Sequence, residues 1–143
     1  MAAEEPIALS DWGAAFVAEV EPLATKIFDA LRELSFDGVG ISRESYGRRE
    51  TAAMEYCADL ARAEGLEVSY DRAANLVITL AGTEAGAAAH VTGSHLDSVP
   101  QGGNFDGAAG VVAGLIVLVL LKRRGVTPAR PIRVYAFRGE ESG

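Results

Sequence analysis

The residues able to do chemistry in this chain fall into three clusters. His95-Leu96-Asp97 is the first, Asp106 the second and Glu140-Glu141 the third. Divalent metals accept imidazole nitrogen and carboxylate oxygen readily, and the clusters offer only those donors. Residues i and i+2 of an extended segment face the same side. Asp97 is therefore placed to accept a hydrogen bond from the His95 imidazole and fix its tautomer. Asp106 has two oxygens and can bridge two cations. Of Glu140 and Glu141, one can bind metal while the other takes a proton from an attacking water. Gly102, Gly103 and Gly107 leave room for the backbone to pass close to ions. Taken singly, each cluster has a plainer reading: a surface loop pair, a helix N-cap and a solvated turn. Joint placement decides between the readings, and placement depends on the elements that carry them.

Residues 10–34 carry Trp12, Phe16, Val20, Leu23, Ile27, Leu31 and Leu34 at spacings of three and four, which predicts a helix. Pro22 lies inside that pattern and is expected to split it. Residues 35–48 are glycine-bearing and irregular. A second amphipathic helix is predicted over 49–64, with Ala53, Cys57, Leu60 and Ala61 inward and Gly65 as its C′ residue. The period then changes to two. Residues 66–70 and 76–80 alternate around the turn-forming segment Asp71–Asn75, a predicted hairpin. Residues 89–94 form a third strand, 95–106 a glycine-rich loop, 107–123 an apolar helix and 132–137 a fourth strand. The third strand, apolar helix and fourth strand make a βαβ crossover, which implies parallel neighbours. Both faces of such a sheet need cover, a task assigned to the two early helices. The expected fold is α/β: a partial three-layer sandwich on a mixed sheet. All three clusters follow the carboxyl ends of the parallel strands, where sites collect in open α/β sheets.

Composition removes several alternatives. The chain has 143 residues, 13 Lys+Arg against 20 Asp+Glu, and a formal net charge of -7. That argues against a nucleic-acid partner held through phosphates. One cysteine cannot form an internal disulfide, and two histidines cannot build a His-rich site. The apolar run from Gly107 to Leu121 is shorter than the roughly 20 residues a membrane-spanning helix needs, so no membrane role is expected. The free thiol and the acidic start, which lacks a basic leader, point to the cytoplasm. Ser94 and Ser98 lack a Gly-x-Ser-x-Gly setting, and no Gly-Lys-Ser/Thr follows Gly103. Cys57 and Trp12 read as core residues, His90 as a strand residue, and Arg48-Arg49 and Lys122–Arg124 as solvated basic faces.

The segment Gly93-Ser-His-Leu-Asp-Ser-Val-Pro-Gln-Gly-Gly-Asn-Phe-Asp-Gly107 resembles the signature of the M20 metallopeptidase clan. Within it, the likeness is to the amidohydrolase branch of N-carbamoyl-L-amino-acid hydrolases, allantoate amidohydrolases and β-ureidopropionases. Arg138-Gly-Glu-Glu-Ser142 resembles that branch's Glu-Glu motif. The resemblance implies two divalent metal ions (Zn, Mn, Co or Ni). His95 would ligate one, Asp106 bridge both and Glu141 ligate the other. Glu140 would be the general base, with Asp97 supporting His95. The implied reaction is hydrolysis of a linear amide or ureido C–N bond in a small molecule, foremost an N-carbamoyl-L-amino acid, with allantoate or an N-acyl amino acid or peptide as alternatives. The match covers the first half of the family's catalytic domain. Two further histidine ligands and the lid domain, which carries dimer contacts, are expected to be missing. The family homodimer is therefore not expected; self-association through an exposed sheet edge is. A catalytically silent product or binding remnant is the competing expectation, since three of five ligands would leave facing carboxylates short of compensating charge.

Overall fold

A computed structural model describes residues 13–142. Trp12 lies outside the described residues. The order is α1 (Gly13–Ser35), α2 (Arg48–Ala63), β1 (Glu67–Tyr70), β2 (Leu76–Leu80), β3 (His90–His95), α3 (Ala108–Arg123) and β4 (Ile132–Phe137). The strands form one mixed sheet in the order β1-β2-β4-β3.

α1 runs unbroken through Pro22, where a split was expected. Proline removes one intrahelical hydrogen bond, and the carbonyl left without a partner is that of Ala18. Pro22 and Ala18 both lie on the exposed side, where water can take the lost place. On the other side Leu23, Ile27 and Leu31 are buried and hold the helix on its track, while Leu34 turns outward.

α2 ends as its sequence suggests. Gly65 sits at φ +73, its N–H bonds to the Arg62 carbonyl at 3.0 Å and that of Leu66 to Ala61 at 2.9 Å. Those two bonds are the Schellman pattern. α3 closes the same way at Gly125, through the Lys122 and Leu121 carbonyls.

The hairpin pairs β1 and β2 antiparallel, with Tyr70 opposite Leu76. Asp71 ties its turn, since Oδ1 accepts from the N–H groups of Ala73 (2.9 Å) and Asn75 (3.0 Å). β2 pairs antiparallel with β4, and β4 parallel with β3, His95 facing Phe137 in register. The parallel βαβ unit therefore forms as the sequence predicts, and both its strands end at one rim.

Cover of the second sheet face differs from expectation. Leu76, Ile78, Leu80, Val134 and Ala136 share one face and join a single core with residues of α1, α2 and α3. All three helices thus pack on one side. α3 comes close because it carries glycine where a side chain would collide: a Cβ at Gly114 would meet Val134 at 2.8 Å, and one at Gly110 would meet Ser94 at 2.6 Å. Among the described residues the opposite face, with Glu67, Ser69, Thr79, Arg133 and Tyr135, is lined only by strand and hairpin residues. Its mixed polarity lets water solvate it, so the early helices are not drawn there.

Candidate metal centre

His95 is the last residue of β3, and Glu140 and Glu141 follow β4 by a short turn. Parallel register fixes both at one end of the sheet. Asp106 comes to the same place because the loop after His95 folds back to start α3. That loop is pinned from below: Asn104 Nδ2 donates to the Phe28 carbonyl at 2.9 Å, and Phe105 packs edge-on against Phe28 at 4.8 Å.

The three clusters converge. His95, Asp106 and Glu141 each offer a ligand atom, and those atoms lie within 4.8 Å of one another. His95 Nε2 stands 3.8 Å from Asp106 Oδ1 and 3.7 Å from Glu140 Oε2. These separations are too long for hydrogen bonds. Two donors on one cation, each at about 2.1 Å and tetrahedrally disposed, are about 3.4 Å apart. For His95 and Asp106 the spacing is a few tenths wider than that, and Asp106 is an exposed side chain able to close it. The donor set, one imidazole and carboxylates, fits a divalent metal.

His95 is held for that task. Its Nδ1 lies 3.0 Å from the main-chain carbonyl of Asp97 and 3.4 Å from Asp97 Oδ1. The hydrogen bond goes to the carbonyl, with the carboxylate as an electrostatic partner behind it. The proton then sits on Nδ1 and the Nε2 lone pair faces the carboxylates. The ring also rests on Gly107, where a Cβ would fall 2.4 Å from His95 Cε1. Gly107, at φ +61, is the N-cap of α3. Asp106 is therefore not the helix cap, and its carboxylate is left to face His95.

Asp97 spends its carboxylate elsewhere. Oδ2 accepts from Ser45 Oγ at 2.5 Å and from the Glu141 N–H at 2.8 Å. Burial pushes its carboxyl up. The hydrogen bonds from Ser45, Glu141 and Glu140, with His95 nearby, outweigh burial and hold it below the usual value.

Two cations stand behind this acidic rim that the sequence reading did not single out. Arg43 is fully buried, and its Nε donates to the Leu96 carbonyl at 2.5 Å. Burial presses its guanidinium down; the carboxylates of Asp106 and Asp97 oppose that. Arg138 pairs with the buried Glu50 at 2.7 Å. Nothing in the spacing of Ser45, Arg43 or Glu50 marks them, because their partners lie far along the chain. Arg138 alone carried a signal, standing two residues before the Glu pair. Ser98, set aside as a nucleophile, accepts from the Arg43 N–H at 2.9 Å and latches the two loops together.

Comparison with known proteins gives the geometry a lineage. The model of peptidase family M28 matches residues 75–143, the stretch from β2 that includes His95, Asp106, Glu140 and Glu141. Over 102 residues, 71% of this chain and 25% of the relative, the chain is 42% identical to the N-carbamoyl-L-amino acid amidohydrolase of Geobacillus stearothermophilus. Over 79 residues, 55% of this chain and 19% of the relative, it is 39% identical to the allantoate amidohydrolase of Escherichia coli. This chain is a homologue of these amidohydrolases over part of their length. The crystal structure of a hydantoinase/carbamoylase family amidase from Burkholderia multivorans superposes with a TM-score of 0.80 at 31% identity, over 87% of this chain and 30% of that one. The homologue described here thus spans about a quarter of the length of its curated relatives. Among its described residues no helix is long and apolar enough to cross a membrane.

Proposed function

We propose that this chain carries the first part of a metal-dependent amidohydrolase catalytic domain, cleaving a linear amide or ureido C–N bond. An N-carbamoyl-L-amino acid is the leading substrate class; allantoate and N-acyl amino acids or peptides are the alternatives. The observation that carries this reading is the convergence of His95, Asp106 and Glu141 at one rim, with Glu140 beside them. Kinship to amidohydrolases supports the bond class. A cytoplasmic location belongs to the same reading and rests on the buried free thiol of Cys57.

His95 through Nε2, Asp106 and Glu141 would hold two divalent ions, with Asp106 between them. Such ions, when bound, polarise the scissile carbonyl and lower the pKa of water. The chain's own residues do the rest. Glu140, with Oε2 3.7 Å from His95 Nε2, would take the proton of the attacking water. Asp97 keeps His95 turned by its main-chain carbonyl and holds the Glu141 main chain by its carboxylate. Arg43 and Arg138 offset the gathered negative charge from behind, which limits the mutual repulsion of the carboxylates.

A second reading is a catalytically silent chain that self-associates. The outer edge of β3 favours it, since among the described residues β3 pairs only with β4. The deciding experiment measures bound metal by mass spectrometry and N-carbamoyl-amino-acid hydrolysis on one purified sample. Retained metal with turnover supports the first reading; neither supports the second.

A further inference from the structure

We propose that Glu50 is a positioning residue for Glu140 and Glu141, acting through Arg138 and Gly139. The inference rests on the metal reading above. Glu50 lies in the first turn of α2 and is fully buried, an expensive place for a carboxylate unless every oxygen is used. Its Oε2 accepts from Arg138 Nε at 2.7 Å and from the Tyr46 N–H at 2.6 Å. Its Oε1 accepts from the Gly139 N–H at 3.3 Å. An ion pair that served only the core would end at the guanidinium. This one also grips the N–H of Gly139, the residue before Glu140.

Arg138 is fixed from further sides. Its N–H donates to Asn75 Oδ1 at 2.9 Å, Nη2 to Thr51 Oγ1 at 2.7 Å, and its guanidinium lies 4.8 Å over the Tyr46 ring. Tyr46 and Gly139 are both left-handed, at φ +57 and +71, and they touch. A Cβ on Gly139 would fall 2.8 Å from Tyr46 Cε2. The turn leaving β4 thus calls for glycine at 139, both for its left-handed backbone and for the closeness of the Tyr46 ring. From the other flank, Asp97 Oδ2 takes the Glu141 N–H at 2.8 Å. Two buried carboxylates, from α2 and from the loop after β3, therefore hold the N–H groups of Gly139 and Glu141, the residues that flank Glu140. Ligand register is set before any ion arrives, the preorganisation that outer partners of a metal site provide.

The test is amide hydrogen exchange by NMR on the full chain, with a zinc titration followed through the His95 imidazole resonances. Either single change, Glu50→Gln or Arg138→Met, leaves the other charge buried alone and risks unfolding. The double variant removes both charges. It is expected to speed exchange at Gly139 and Glu141 by roughly tenfold or more, while the β4 amides of Val134 and Ala136 stay within about twofold. Its zinc midpoint is expected to rise about 10- to 100-fold. A folded double variant with unchanged Glu141 exchange and unchanged zinc midpoint overturns the proposal. So does equal acceleration at the rim and in β4, which marks a purely structural role. If the double variant does not fold, Thr51→Val decides. It touches an exposed residue and removes one Arg138 bond. Faster Gly139 exchange with quiet β4 amides upholds the clamp, and no change overturns it. If zinc leaves His95 of the unaltered chain untouched, the metal reading falls, and the exchange results still decide whether Glu50 holds the turn.

Discussion

The rim where β3 and β4 end and the outer flank of β3 lie side by side but are built differently. At the rim, His95, Asp97, Glu50, Arg138 and the Glu141 main chain each have a named partner. Along the flank, Val91 is 61% exposed and Val117 on α3 is 46% exposed. An apolar groove of about 360 Å³ runs there, bordered by Thr92, Gly110, Ala113 and Val117. Ligand geometry and sheet completion are thus separable. Contacts within the described residues suffice to gather the donors, while the flank keeps an open strand edge and uncovered apolar surface.

The largest expected effect separates two neighbours on α3. Leu118 is fully buried and Val117 is not. Leu118→Ala should cost roughly 2–5 kcal/mol of stability, the usual range for emptying a buried leucine site. Val117→Ala should cost less than about 1 kcal/mol. Urea melts on both variants check this; equal losses would mean that the flank is covered after all. Gly107→Ala comes next and strikes the rim. The added methyl would overlap the His95 ring, and the backbone would be forced to hold alanine at φ +61. Left-handed strain and overpacking together predict a loss of about 2–4 kcal/mol. The same variant should bind zinc far more weakly than any flank variant does, because the imidazole must move.

What the sequence disclosed follows the range of the interactions. Periodicity found both early helices, the hairpin and the βαβ unit, since each is written in neighbouring residues. The three clusters were legible too: two strands known to be parallel must end together, and His95, Asp106 and Glu141 stand after or between them. The continuity of α1 was not legible, because Pro22 is tolerated only by virtue of facing outward. Nor was the one-sided placement of the helices, which depends on how polar the second face is once folded. Ser45, Arg43 and Glu50 were invisible for a plainer reason. The Ser45–Asp97 and Glu50–Arg138 contacts join residues more than fifty positions apart that share no motif. His95's acceptor was anticipated in the right residue but on the wrong atom, since the backbone turns after β3 and brings the Asp97 carbonyl nearer than its carboxylate.

Acid should weaken the rim and its support. Asp97 is held below the usual carboxyl range, and Asp37 is lowered to about 2 by bonds from Ser42, Gly40 and Val39. A folded-state pKa below the unfolded value of 3.8 adds stability above that value and loses it as pH falls through the folded one. Stability should therefore decline below about pH 4, with Asp37's share largely lost by about pH 2. Asp97→Asn and Asp37→Asn should each flatten that decline, read from urea melts across this range. An unchanged profile in Asp97→Asn would show that its hydrogen bonds to Ser45 and Glu141 do not favour the ionised form.

The smallest expected change in stability lies on the flank, where association is the informative readout. β3 offers an unpaired edge along residues 90–93, and a second copy of this chain offers the same edge in return. Val91→Glu places a carboxylate in register with Arg133 of β4, a neutral to favourable pairing within one chain. Edge to edge, two copies bring those carboxylates together, and like charges on facing strands repel. Sedimentation velocity should show concentration-dependent association of the unaltered chain and a monomer for Val91→Glu, with stability within about 0.5 kcal/mol. Val17→Glu, on an exposed site of α1 away from the sheet, serves as the control. If it abolishes association equally, net charge rather than the strand edge governs self-association. If neither change matters, the copies meet elsewhere, and the contrast between a finished rim and an adhesive flank is lost.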